Sequence, residues 1–109
     1  MQEPLNQLEN TYFTLQGQID MLSAACQTQD QRNALSTQYV QARTNYWACV
    51  NKAFHDDDPE VVTLTSQIAA ANTALTGDVA QMGDITKVLG DITTVVTIGT
   101  QLATKVIGA

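Results

Sequence analysis

A chain of 109 residues with 44% hydrophobic side chains is long enough for one packed core, too short for two, and too apolar for wholesale disorder. Its net charge of −6 includes five basic residues, Arg32, Arg43, Lys52, Lys87 and Lys105, which are too scattered to neutralise a run of phosphates. This argues against nucleic-acid binding and against adhesion to anionic lipid through a polybasic segment. No stretch of about 20 apolar residues occurs, so no transmembrane helix is expected.

The first expected element is a helix from about Pro4 to Ala25. Proline suits a first turn, where a missing backbone N–H costs nothing. Leu5, Leu8, Tyr12, Leu15, Ile19, Leu22 and Cys26 recur in steps of three and four, which keeps them on one helical face. The polar run Gln27–Asn33 interrupts that stripe and should hold the first turn. Within it, Thr28 and Gln31 have the spacing of a capping box that would open helix two. Helix two carries its own stripe of Leu35, Tyr39, Ala42, Tyr46, Cys49 and Ala53. Cys26 and Cys49 both fall on apolar stripes near opposite ends of the expected hairpin, so two core thiols are expected rather than a disulfide.

His55-Asp56-Asp57-Asp58-Pro59-Glu60 is the strongest punctuation in the chain. Proline disfavours helix at Asp58 and can start the next helix, with Asp58 as N-cap and Glu60 in the positive field of the first turn. Helix three then carries Val61, Leu64, Ile68, Ala71 and Leu75. Three glycine–aspartate pairs follow, Gly77-Asp78, Gly83-Asp84 and Gly90-Asp91, and each could end one helix and cap another. A break near Gly83-Asp84 gives four segments of nearly equal length, as a four-helix bundle requires. The alternative is a hairpin plus one long C-terminal helix. The β-branched run Thr93–Ile98 could be a strand, but Val88, Ile92, Val95, Gly99, Leu102 and Val106 keep helical spacing. The expectation is therefore an all-α antiparallel helical bundle of four segments forming a single domain over residues 1–109.

Chemistry-bearing groupings are few. His55 with Asp56, Asp57, Asp58 and Glu60 could hold a cation. The segment lacks the glycine and alternating oxygens of a calcium loop, and a single histidine falls short of a catalytic zinc set. Cys49 and His55 would point to different faces of a helix, so a cysteine–histidine pair is not expected. No nucleophile elbow, phosphate-binding loop or dinucleotide motif is present. No catalytic, metal-ligating or cofactor-binding residue is assigned, no cofactor is expected, and the chain reads as non-enzymatic.

Two groupings suggest binding instead. Tyr46, Trp47, Val50 and Phe54 place aromatic and apolar side chains along helix two, with Trp47 one step off the core stripe. Tryptophan and tyrosine are enriched among binding hot spots, so these four residues are the candidate partner-binding face. The segment Ile85–Ala109 has only Lys87, Asp91 and Lys105 charged, and its Gly90, Gly99 and Ala103, with Gly83 before it, would admit a close helix. It is a candidate oligomer seam. The functional expectation is a protein–protein interaction module, an adaptor, assembly or secretion-associated component, with a homodimer among its forms. A second expectation is a carrier holding an apolar ligand among Met21, Met82 and Leu89, and a third is a cation-dependent activity at the His55–Asp58 turn.

Only 15% of residues are charged, against about 25% in typical domains, and Gln, Thr and Asn fill the polar positions. Such surfaces are common among exported bacterial proteins. Met1-Gln2-Glu3-Pro4 lacks a basic region followed by an apolar one, so no signal peptide is read there and the compartment stays open, cytoplasmic if nothing precedes this start. A leader preceding Gln2 would make it periplasmic or secreted.

Overall fold

The computed structural model describes residues 3–50, 58–81 and 84–108, which form four helices: α1 (Glu3–Ala25), α2 (Gln29–Cys49), α3 (Pro59–Gln81) and α4 (Ile85–Gly108). The protein is an all-α four-helix bundle, and the chain divides between α3 and α4 as the equal-length reading requires. Gly83 lies outside the described residues, and Asp84 supplies the cap. Its carboxylate accepts the Thr86 amide at 2.9 Å while its carbonyl accepts the Val88 amide at 3.1 Å. Asp58 opens α3 in the same way, taking the Glu60 amide on Oδ1 at 2.9 Å and the Val62 amide on its carbonyl at 3.0 Å. The α1–α2 corner closes with the expected box. Thr28 Oγ1 accepts the Gln31 amide at 3.1 Å, and Gln31 Oε1 accepts the Thr28 amide at 3.3 Å.

Around the bundle the order is α1, α2, α4, α3, which places α2 diagonally across from α3. Consecutive helices form two antiparallel hairpins, α1–α2 and α3–α4. Across the seam between hairpins the helices run parallel. Gln7 and Thr14 of α1 line the same groove as Ala69 and Thr76 of α3, and Gly17 and Gln18 lie further along with Val79 and Ala80. By the same logic α2 runs parallel to α4. The long axis of the bundle is 42 Å and its cross-section 21 × 18 Å.

The core is a set of heptad-spaced aliphatic side chains. Leu8, Leu15 and Leu22 of α1 meet Ile68 and Leu75 of α3, Leu35 of α2, and Val88, Ile92, Val95 and Leu102 of α4, all fully buried. Each such side chain contributes about 1.5–3 kcal/mol by leaving water. Cys26 and Cys49 are buried in this core as thiols.

Two asparagines interrupt the aliphatic core, one at each parallel seam. Asn72 of α3 donates from Nδ2 to the Gln7 carbonyl at 3.1 Å and to Gln7 Oε1 at 3.0 Å, and accepts the Thr11 hydroxyl on Oδ1 at 2.7 Å. Asn45 of α2 donates to Thr100 Oγ1 of α4 at 3.1 Å and accepts Gln41 Nε2 at 2.9 Å. Thr11, Asn45 and Asn72 are buried, and each is satisfied by a side chain of the other hairpin.

The glycines divide by position. A Cβ on Gly99 would stand 3.2 Å from Leu8 Cδ2, 3.4 Å from Asn45 Nδ2 and 3.6 Å from Ile68 Cδ1, so this glycine lets α4 approach all three other helices at once. Gly77 and Gly90, by contrast, sit inside α3 and α4 facing open space. They neither break a helix nor seat one, so two of the three glycine–aspartate pairs are uninterrupted helix. Replacing Gly77 or Gly90 with alanine should stabilise the fold by about 0.5–1 kcal/mol through helix propensity. Gly99→Val should destabilise it by about 1–3 kcal/mol through overpacking. Urea unfolding midpoints of the three variants check the opposite signs.

A candidate docking face on the first hairpin

Because Leu8, Leu15 and Leu22 point α1 inward, the residue after each stripe position turns toward solvent at the α1–α2 edge. Phe13 occupies such a position on α1, and Trp47 occupies the matching one on α2. They are 49% and 58% exposed. Between them lie Tyr12, buried, and Tyr39 and Tyr46, half-buried. The five rings are contiguous. Ring centroids are 5.2 Å apart for Tyr12–Phe13, 5.9 Å for Tyr12–Tyr39, 5.8 Å for Tyr12–Tyr46, 6.0 Å for Phe13–Tyr46 and 5.3 Å for Tyr46–Trp47. Such offset and edge-on contacts add to the simple burial of each ring. Val40, 44% exposed, extends the apolar surface two turns back along α2.

Glu9 fixes the cluster. Its Oε2 accepts the Tyr46 hydroxyl at 3.2 Å, and partial burial followed by this carboxylate raises the phenol above its ordinary pKa. The exposed rings thus stand on a packed, hydrogen-bonded base.

Of the four side chains named from sequence, Tyr46 and Trp47 belong to this surface, Val50 is half-buried just past the end of α2, and Phe54 lies outside the described residues. Sequence reasoning missed Phe13, Tyr12 and Val40. The signal that picked out Trp47, a large ring one step off the stripe, applies equally to Phe13 beside Tyr12. It went unread because α1 was treated as a core helix alone.

The other candidates fare differently. The apolar side of α4 is consumed inside the chain by Ile85, Val88, Ile92, Val95, Val96, Leu102 and Ala103. Among the described residues its outer face is polar, with Thr86, Thr93, Thr94, Thr97 and Thr104 exposed. Met21 is 43% exposed, Leu89 packs against the core, and Met82 lies outside the described residues. An open groove of about 660 Å³ runs between α3 and α4 past Pro59, Leu64, Gln67, Gln101 and Lys105. Lys105, which lines it, is already engaged, with Nζ 3.6 Å from Asp58 and 3.4 Å from Glu60. His55, Asp56 and Asp57 lie outside the described residues, whereas Asp58 serves as cap and ion-pair partner. Among the described residues, no group of three or more His, Cys, Asp or Glu side chains is placed to hold a metal ion.

One further charged grouping joins α3 to α4. Lys87 Nζ lies 2.9 Å from Asp78 Oδ2, and Asp91 is their neighbour. A hydrogen bond with Asp91, then the bond from Lys87, lowers the Asp78 pKa. The same bond to Asp78, then burial, raises that of Asp91. Asp91 Oδ2 is buried without a hydrogen-bond partner. A raised folded-state pKa means the favourable contribution of Asp91 is present at low pH and lost as pH rises through that pKa. Asp91→Asn keeps a donor without the charge. It should raise Tm at neutral pH, and the gain should shrink as the pH falls through the raised pKa of Asp91, where Asp91 is itself protonated. Thermal melts of the two proteins across pH check this.

Compared with known proteins, the chain matches no family model, no curated protein and no solved structure.

Proposed function

We propose that this protein is a non-enzymatic interaction module that docks a protein partner on the outer face of the α1–α2 hairpin. The observation that carries the reading is the exposure of Trp47 and Phe13 at the rim of a five-ring cluster whose inner members are packed and hydrogen-bonded. Large apolar side chains grouped on one face of a small protein lower their free energy when another surface covers them. Rings already held in place lose little conformational freedom on binding, which favours affinity. Aromatic anchors of this kind dominate binding energy at protein interfaces, while the polar Gln, Thr and Asn surroundings form a rim. The threonine face of α4 and the groove beside Lys105 offer no comparable anchor.

Placing a photo-crosslinking residue at Thr44, between Val40 and Trp47, tests the reading in cells that make the protein. The same residue at Thr94 on α4 serves as the control. A discrete adduct at position 44, absent at 94 and lost when Phe13→Ala and Trp47→Ala are added, is the expected result. Equal labelling at both positions, or none at 44, removes the docking face.

A further inference from the structure

We infer that the occupant of this face is a second copy of the same chain, paired about a two-fold axis along the α1–α2 groove. The inference rests on the docking reading above and adds the identity of the partner. Its ground is the placement of charge. The outward stripe of α1 carries Glu9, Phe13, Gln16 and Asp20, and that of α2 carries Arg32, Val40, Arg43 and Trp47. The acids are eleven residues apart on α1, and the arginines are eleven apart on α2. Eleven residues make three turns with a residual rotation of only about 20°, a rise of roughly 16 Å, so each pair keeps to one stripe at equal spacing. No basic residue occurs in α1. Among the described residues no carboxylate pairs with Arg32 or Arg43.

Since α1 and α2 are antiparallel, Glu9 lies level with the Arg43 end of α2, and Asp20 with the Arg32 end. A two-fold axis along the groove lays α1 of each copy over α2 of the other. Glu9 then faces Arg43 and Asp20 faces Arg32, each twice, and the Phe13, Tyr46 and Trp47 rings meet along the axis. An isologous interface demands this self-complementarity, in which one patch supplies both halves of every contact. Size agrees as well. A face 42 Å long on a bundle 21 × 18 Å in section offers on the order of the 800 Å² per partner that stable dimers bury.

Sedimentation velocity over a concentration series tests the pairing. The intact protein should form a dimer, and Trp47→Ala should dissociate it. Two charge-reversed proteins carry the decisive result: Glu9→Arg with Asp20→Arg, and Arg32→Glu with Arg43→Glu. Each alone places like charges opposite one another and should raise the dimer Kd at least about tenfold. Their equimolar mixture restores every opposite-charge contact and should form a heterodimer at least about tenfold tighter than either variant's own pairing. Far-ultraviolet circular dichroism of each variant secures that its helices are intact. A monomeric wild type at all concentrations overturns the pairing, as does a dimer indifferent to the reversals or a mixture that fails to associate. If the wild type is monomeric while the Thr44 position still captures another protein, the pairing falls and the docking face stands. If neither occurs, both fall.

Discussion

The two buried asparagines hold this architecture in one arrangement. Apolar packing between hairpins tolerates a slip of one helical turn, because Leu8, Leu15 and Leu22 would find other aliphatic neighbours. Asn72 and Asn45 would not. Displaced by a turn, each would face hydrocarbon with its amide unpaired, at a cost of about 1–3 kcal/mol per unsatisfied group. Both lie on parallel seams, one between α1 and α3 and one between α2 and α4, so the hairpins are pinned on both sides. Buried polar residues in coiled coils set register in the same way. Gly99 completes the arrangement, since only a helix lacking a side chain there can bring Thr100 within reach of Asn45 while lying against Leu8 and Ile68.

Pinning the hairpins decides which surfaces remain. Among the described residues the second hairpin, Val62 apart, turns its large apolar side chains mostly inward: α4 is the greasiest helix by sequence and yet presents threonines to solvent. The first hairpin contributes less to the core from α2, whose buried residues are Leu35, Ala42, Asn45 and Cys49. Its aromatic side chains are too large for the narrow centre and collect along the edge instead. The exposed rings are therefore a consequence of how the core is filled, and their grouping on one face follows from the register of α1 against α2.

Much of the fold was legible in the residues themselves. Leu and Ile at steps of three and four marked the helices, Thr28–Gln31 and Asp58-Pro59 marked two helix starts, and equal segment lengths favoured the break before Asp84. Cys26 and Cys49 read correctly as core thiols because both sat on apolar stripes. The site was legible only in part. Trp47 and Tyr46 stood out within one helix, but Phe13, Tyr12 and Glu9 join them only once α1 and α2 are laid side by side, which depends on contacts distant in sequence. The role of α4 was left open for the same reason: an apolar helix with small residues suits a core and a seam equally until its neighbours are known. The asparagines carried no signal, since Asn72 and Asn45 look like any polar residue until the seam that buries them exists.

Trp47 is the chain's single tryptophan, and it stands at the rim of the exposed rings, away from the core. The indole emission of the native protein therefore originates at one known point on its surface. Whatever settles on the first hairpin will alter the polarity around that indole and its access to a soluble quencher. Events confined to the opposite hairpin will leave both nearly unchanged, so the protein carries its own optical gauge of occupancy on that side.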